Sequence, residues 1–129
     1  MARDLESHRG HVAVREGRLL GFVMWAPVDE VVAELTWMGV VADPHHCGIG
    51  TALLMELVAE LRNAVHRSLL VSTVADSVDF APYVYTRRFY RSRGFADDHI
   101  DPLYWGSGDD RYDRLVLRLD LSKAGASAP

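Results

Sequence analysis

Gly48 and Gly50 stand one residue apart where an apolar run, ended by Asp43-Pro44, gives way to a long apolar helix pattern. Glycine weakens a helix at such a place, which suggests that something must approach the backbone closely. The chemistry on offer is anion binding. A helix start presents about four amide N–H groups without partners, and the aligned peptide dipoles make that end positive. Without Cβ atoms in the way, a phosphate or pyrophosphate can reach those amides. The spacing is not that of a P-loop, since no Gly-Lys-Ser/Thr follows. Nor is it the dinucleotide fingerprint, whose third glycine would fall on Leu53. On spacing alone, a tight turn with close helix–sheet packing remains the other reading.

His45, His46 and Cys47 lead into the glycines. Three consecutive residues in a turn rarely converge on one ion, and no fourth ligand is evident, so no metal is expected. Cys47 lies where a helix N-terminus favours a thiolate, but no organised acid–base partner is evident for it. His8, His11, His66 and His99 are scattered and read as surface residues.

The elements that position the glycines come from 129 residues, 49% of them hydrophobic and 25% charged, with a net charge of −4. These values fit one compact domain with a real core over residues 1–121, followed by a small polar tail, 122–129, that frays. The mild acidic excess points to neither a nucleic-acid nor a membrane surface. "RRFYRSR", Arg87 to Arg93, reads as a solvated helix face or a local anion contact. A single cysteine allows no internal disulfide and fits a reducing compartment. The polar start "MARDLESHRG" argues against a signal peptide, and no apolar run approaches the ~20 residues of a membrane span. A soluble, cytoplasmic protein is expected.

"HVAVREGRLLGFVMWAPVD" reads as a hairpin, with strands over His11 to Arg15 and Leu19 to Ala26, and Pro27 ending the second. "VAELTWMGVVAD" is a third strand, apolar almost throughout. Leu53, Leu54, Leu57, Val58, Leu61 and Val65 then follow helical spacing. "SLLVSTVAD" is a short strand. "FAPYVYTRRFYRSRG" is a second helix, with Pro82 in its first turn and Gly94 at its C-terminal cap. The pattern loosens through "DPLYWGSGDD" before a last strand from Arg114 to Leu121. The order β-β-β-α-β-α-(β)-β indicates a mixed α/β sheet and excludes a doubly wound one.

"VADPHHCGIGTALL" resembles motif A of the GNAT superfamily, the acetyl-CoA-dependent N-acetyltransferases. That motif is a strand ending in Val, a short acidic or Pro-containing turn, then Arg/Gln-x-x-Gly-x-Gly/Ala opening an apolar helix. His45 stands in the Arg/Gln slot. "TRRFYRSRGF" looks like the family's second signature, matched by Phe89, Tyr90, Gly94 and Phe95. With the order of elements, the resemblance covers residues 11 to 121. It implies a GNAT-like, mostly antiparallel twisted sheet flanked by helices, with a truncated N-terminal part.

The resemblance also implies a chemistry. Acetyl-CoA would be the co-substrate, with no metal required. Its pantetheine arm would pair with strand amides at Met38, Gly39 and Val40, and its pyrophosphate would lie on the amides of His46, Cys47, Gly48, Ile49, Gly50 and Thr51. An amide near Val40 could stabilise the thioester oxyanion. An alkylammonium, with a pKa of about 10.4, is scarcely neutral at pH 7, so a base helps. Glu34 opens the third strand and by alternation shares a face with Thr36, Met38 and Val40, which suits a general base. Tyr90 stands where the family commonly uses a tyrosine to protonate the departing thiolate. The alternatives are an exposed Glu34 that only solubilises the strand, and a Tyr90 that is an aromatic core residue.

Departures from the family pattern are specific. His45 replaces Arg or Gln, and Tyr83 stands where an Asn often contacts the cofactor. Typical members carry helices ahead of the first hairpin that wall the acceptor site. The acceptor, a small-molecule or peptide amine, would therefore meet an open site, one completed by another subunit, or one built by "DDHIDPLYWGSGDDRYD". That loop carries Tyr104, Trp105, Asp109 and Asp110, which together suit a cationic amine, although such loops are often plain connections. Family members are often dimers; nothing in the sequence sets the number of subunits. The rival reading is a degenerate CoA-binding module, regulatory or part of a complex, that does no chemistry.

Overall fold

The computed structural model describes residues 9–42 and 48–122. They fall into two compact units, the first running to Leu69 with Leu121 and Ser122 added, the second from Leu70 to Asp120.

The first unit contains β1 (Arg9–Arg15), β2 (Arg18–Pro27), β3 (Val32–Val40) and α1 (Ile49–Asn63). β1 and β2 are joined by Glu16-Gly17, both at positive φ (52° and 78°), the two-residue turn whose twist suits a hairpin. The Asp29 carboxylate accepts from the amides of Val31 and Val32, each at 2.8 Å, and so closes the β2–β3 turn. The three strands run antiparallel in the order β1-β2-β3. α1 lays Leu53, Leu54, Leu57, Val58 and Leu61 into the core, as their spacing requires, with Val23, Trp25, Ala33 and Leu35 buried on the sheet. Gly21 permits this approach: a Cβ there would stand 3.1 Å from Leu53 Cδ1 and 3.2 Å from Ile49 Cγ2.

The helix closes by a Schellman motif. The His66 amide bonds the Leu61 carbonyl at 2.9 Å and the Val65 amide bonds that of Arg62 at 3.0 Å. Val65 occupies the left-handed position, φ 57°, where glycine is usual. It ends the helical run and is largely exposed, unlike the apolar positions that precede it.

In the second unit are β4 (Ser68–Val74), which belongs here from Leu70 on, α2 (Ala81–Ser92), β5 (Ala96–Ser107) and β6 (Asp110–Asp120), with strand order β4-β6-β5. The stretch read as a loop from the sequence is instead the long β5–β6 hairpin. Its register slips between Asp97 and His99 and again between Asp101 and Trp105, and these two bulges erase the alternation that marks a strand. Among the described residues, six strands, antiparallel wherever their register is given, and two helices make the mixed α/β class expected. Among the described residues no helix is long and apolar enough to cross a membrane.

Candidate functional site

β3 carries Glu34, Met38, Gly39 and Val40, and its pairing with β2 decides which way each faces. Ala26 opposes Glu34 and Trp25 opposes Leu35, but Met24 opposes Trp37, leaving Thr36 as an extra residue. Such a bulge shifts the pleat by one. Directly opposed residues share a face, so Glu34 lies with Ala26, Met24, Trp37, Phe22 and Gly39. Met38 and Val40 lie with Val23 and Gly21, on the side that packs against α1. The common face expected for Glu34, Thr36, Met38 and Val40 is thus corrected, because alternation fails at the bulge. Glu34 is half-buried. Thr36 Oγ1, at the bulge, is buried with no hydrogen-bond partner.

At the start of α1, Gly48 is the N-cap with φ 86° and ψ −1°. A Cβ there would meet nothing within 4 Å, so the backbone conformation, and not crowding, calls for glycine. No side chain caps this end and its first turn holds no acidic residue. The Ala52 amide bonds the Gly48 carbonyl at 3.0 Å, and the amides of Ile49 and Gly50 lie ahead of that bond. Gly50 and Thr51 are in the same first turn. Among the described residues no carboxylate stands in this first turn to neutralise the positive end. His46 and Cys47, together with His45, lie outside the described residues.

Tyr90 belongs to the second unit, near the end of α2. The Phe95 amide bonds the Tyr90 carbonyl and the Gly94 amide bonds that of Arg91, both at 3.2 Å, with Gly94 at φ 98°. This second Schellman motif explains the spacing Tyr-x-x-x-Gly-Phe: the glycine turns left-handed and returns the phenylalanine onto the tyrosine. The two rings meet edge-on at 5.3 Å, and Phe89 meets Tyr90 at 5.2 Å. Tyr90 is 6% exposed, and burial pushes its phenol up to about 12. It is therefore held as a proton donor at neutral pH.

Within the basic run on α2, Arg87 is internal wiring, while Arg88 and Arg93 are exposed as on a solvated face and Arg91 pairs with the chain's own carboxylates. Arg87 is 4% exposed and donates to the carbonyls of Val74 (2.8 Å), Ala75 (3.0 Å) and Val78 (3.0 Å). Arg91 forks onto Asp76 and Asp97, and Arg93 stacks 3.8 Å over Phe89. Of the histidines read as surface residues, His99 is exposed and His8 lies outside the described residues, while His11 and His66 are only partly exposed. His11 bonds Glu60 at 2.7 Å, and the half-buried His66 sits edge-on to Trp25.

One concave surface of the second unit escaped sequence reasoning. A cleft of about 470 Å³ is lined by Ser72 and Val74 of β4, Tyr83 and Thr86 of α2, Trp105 of β5 and Tyr112 of β6. Trp105 and Tyr112 are direct cross-strand partners. Of the four loop residues weighed as an acceptor wall, Trp105 lines this cleft and Tyr104, Asp109 and Asp110 do not. Tyr104 instead carries the Arg114 guanidinium 3.8 Å above its ring. Tyr83 and Thr86, three apart on a helix, were the available signal; the bulge in β5 concealed the other half.

Residues 6–97 match the family model of the GNAT acetyltransferase domain. No curated protein matches the sequence. Among solved structures, a GNAT-family protein from Desulfovibrio desulfuricans subsp. superposes with a TM-score of 0.77 at 26% identity, over 91% of this chain and 70% of that one. A GNAT family acetyltransferase from Elizabethkingia anophelis, solved with acetyl-CoA bound, gives 0.75 at 20% identity, over 92% and 80%. The ribosomal-protein-S18-alanine N-acetyltransferase from Escherichia coli gives 0.72 at 24% identity, over 90% and 70%.

Proposed function

Because the chain belongs to the GNAT acetyltransferase domain family, we propose that it transfers an acetyl group from acetyl-CoA directly to a primary amine of a small molecule or peptide. The observation that carries this reading is the uncapped start of α1. Gly48 holds a left-handed turn with open space where its Cβ would be, ahead of a first turn free of acidic residues. Such an end suits the pyrophosphate of CoA without any cationic side chain. The Elizabethkingia anophelis relative, similar in fold, holds acetyl-CoA. The family match runs from residue 6 to 97, through both units, which supports reading 1–121 as one acetyltransferase domain.

In this reading Met38, Gly39 and Val40 pair with the pantetheine arm, while His46, Cys47, Gly48, Ile49, Gly50 and Thr51 cradle the pyrophosphate. Glu34 takes a proton from the acceptor ammonium, directly or through water. The freed amine attacks the thioester carbonyl, a C–N bond forms, the C–S bond breaks as the oxyanion collapses, and the second proton lost from nitrogen returns through water to the Tyr90 phenolate. Tyr90 gives its phenolic proton to the departing thiolate, a role supported by its protonated state. Glu34 lies across from Ala26, on the sheet face opposite Met38 and Val40, so a water between Glu34 and the acceptor fits the register better than direct contact. The protein is expected to act in the cytoplasm, and a homodimer is compatible with the family.

Calorimetric titration with acetyl-CoA, dephospho-CoA and free pantetheine tests the proposal. Binding of the first two at about micromolar Kd, with pantetheine much weaker, is the expected result. A folded sample that binds none of the three would leave Gly48 with the left-handed turn as its only role and would remove the helix start from the proposed site.

A further inference from the structure

The β5–β6 hairpin is built to present one side chain. Between the pairs Asp101↔Arg114 and Trp105↔Tyr112, three residues of β5 oppose Asp113 alone. This bulge is pinned from both sides. The Asp113 carboxylate accepts from the Leu103 amide at 2.9 Å, while Arg111 donates to the Leu103 carbonyl through Nε (3.1 Å) and Nη2 (2.7 Å). Leu103 is held at φ 50°, a left-handed conformation that costs a branched apolar residue energy. The tip beyond is equally constrained, since a Cβ on Gly106 would fall 2.0 Å from the Asp110 carbonyl oxygen. An aspartate, an arginine and a strained leucine thus hold Trp105 beside Tyr112.

To the lining of the same cleft α2 supplies Tyr83. Three aromatic side chains from three elements line one cleft, and Tyr83 and Tyr112 keep 38% and 42% of their surface open. The volume of about 470 Å³ lies in the range of small-molecule sites. None of the eight lining residues carries a formal charge.

We infer that this cleft takes the acceptor, and that the acceptor is a primary amine borne on an aromatic or flat apolar group. The ring faces attract an ammonium and stack on a flat skeleton. With no carboxylate among the lining residues, the bound ammonium is held by no fixed ion pair and can give up its proton before the amine attacks a thioester. A polycation, such as an aminoglycoside, would lose hydration at several charges here and find no carboxylate among the lining residues in return. The assignment of the cleft to an acceptor rests on the acetyltransferase reading; the class of ligand rests on the cleft itself.

The test is binding of 2-phenylethylamine, n-hexylamine and kanamycin to the full chain, by ligand-observed NMR titration, for wild type, Trp105→Leu and Tyr112→Leu. The arylamine should bind about tenfold more tightly than either comparator, and each variant should lose about five- to tenfold of that affinity while n-hexylamine changes little. Circular dichroism identifies a variant that fails to fold, and the other then decides. Kanamycin bound as tightly as the arylamine would overturn the inference. So would full affinity in a folded variant, or displacement of the arylamine by desulfo-CoA, which would give the cleft to the donor. Arylamine binding without acetyl-CoA binding would sink the enzyme reading and leave an aromatic amine site. Acetyl-CoA binding without arylamine binding would do the reverse.

Discussion

Arg91 grips Asp76 with both ends of its guanidinium: Nη1 donates to Oδ2 at 3.0 Å and Nη2 to Oδ1 at 2.8 Å. The hydrogen bond from Arg91 lowers the Asp76 carboxyl below its ordinary value, aided by the charges of Arg91 and Arg87 and opposed by desolvation. A depressed carboxyl stabilises the fold above the unfolded pKa, about 3.9, and the contribution fades as pH falls through the lower folded value. Asp76 is largely exposed, so the pair is worth at most about 1 kcal/mol. Wild type should exceed Asp76→Asn in urea stability from pH 7 down to about pH 5, and the gap should shrink below about pH 4. A gap of equal size at pH 3 would show that the charge does not act this way.

Arg87 has a larger role because its partners are backbone. Its guanidinium serves three carbonyls, one at the end of β4 and two in the segment that follows it, where water cannot easily replace it. Removing it leaves acceptors unpaired, at about 1–3 kcal/mol for each that stays buried. Arg87→Ala should destabilise by about 3 kcal/mol or more, and Arg87→Lys should recover only part, since an ammonium cannot span the three oxygens. Denaturation midpoints measure both. A loss below about 1 kcal/mol for the alanine variant would mean the carbonyls find other partners.

Val65 invites the opposite change. It holds φ 57° at the end of α1 with 78% of its surface exposed, so a β-branched residue is strained there and buries little in return. Val65→Gly should stabilise by about 1 kcal/mol, the relief of strain exceeding the extra entropy of an unfolded glycine. Thermal melts should show a rise of a few degrees, roughly 3 to 6. A fall in melting temperature would mean that Val65 makes an apolar contact worth more than the strain.

How far the sequence was legible depends on how local each signal is. α1 was plain because Leu53, Leu57 and Leu61 repeat at the helical period and all face one sheet. Gly94 was readable as a cap because the left-handed turn it makes is a property of three or four neighbours. Glu34 was placed on the wrong face because the bulge at Thr36 is created by pairing with β2, which no stretch of β3 contains. The hairpin was legible only as a loosely patterned strand before the last one, for the same reason: Leu103 is held by Arg111 and Asp113, eight and ten residues away. Arg87 looked like surface charge because its acceptors are carbonyls, which composition does not reveal.

Two of the left-handed glycines, Gly17 and Gly48, form a natural control. Both have positive φ, 78° and 86°, and both have open space where a Cβ would go. Alanine at either should cost about 1–2 kcal/mol through backbone strain. In the proposed site only Gly48→Ala should also weaken acetyl-CoA, by about tenfold, since a bent helix start misaligns the amides that meet the pyrophosphate. Calorimetry on both variants checks this. Equal acetyl-CoA affinity in the two would remove Gly48 from the binding site.

Tyr90 and Glu34 separate the chemical step from binding. With its phenol pushed up to about 12, Tyr90 keeps its proton throughout the working range, so its own titration should not shape activity below about pH 10. Removing that hydroxyl should act on turnover. Tyr90→Phe retains the ring that packs on Phe89 and Phe95, and its kcat should fall by about 10²–10⁴ with acetyl-CoA affinity nearly unchanged. Glu34→Gln should lower kcat by a similar factor, again sparing acetyl-CoA. A thiol acceptor assay that follows CoA release, paired with calorimetry, reads both quantities. If Tyr90→Phe turns over within about twofold of wild type, the leaving thiolate takes its proton from water, and Tyr90 serves the fold as the aromatic partner of Phe95.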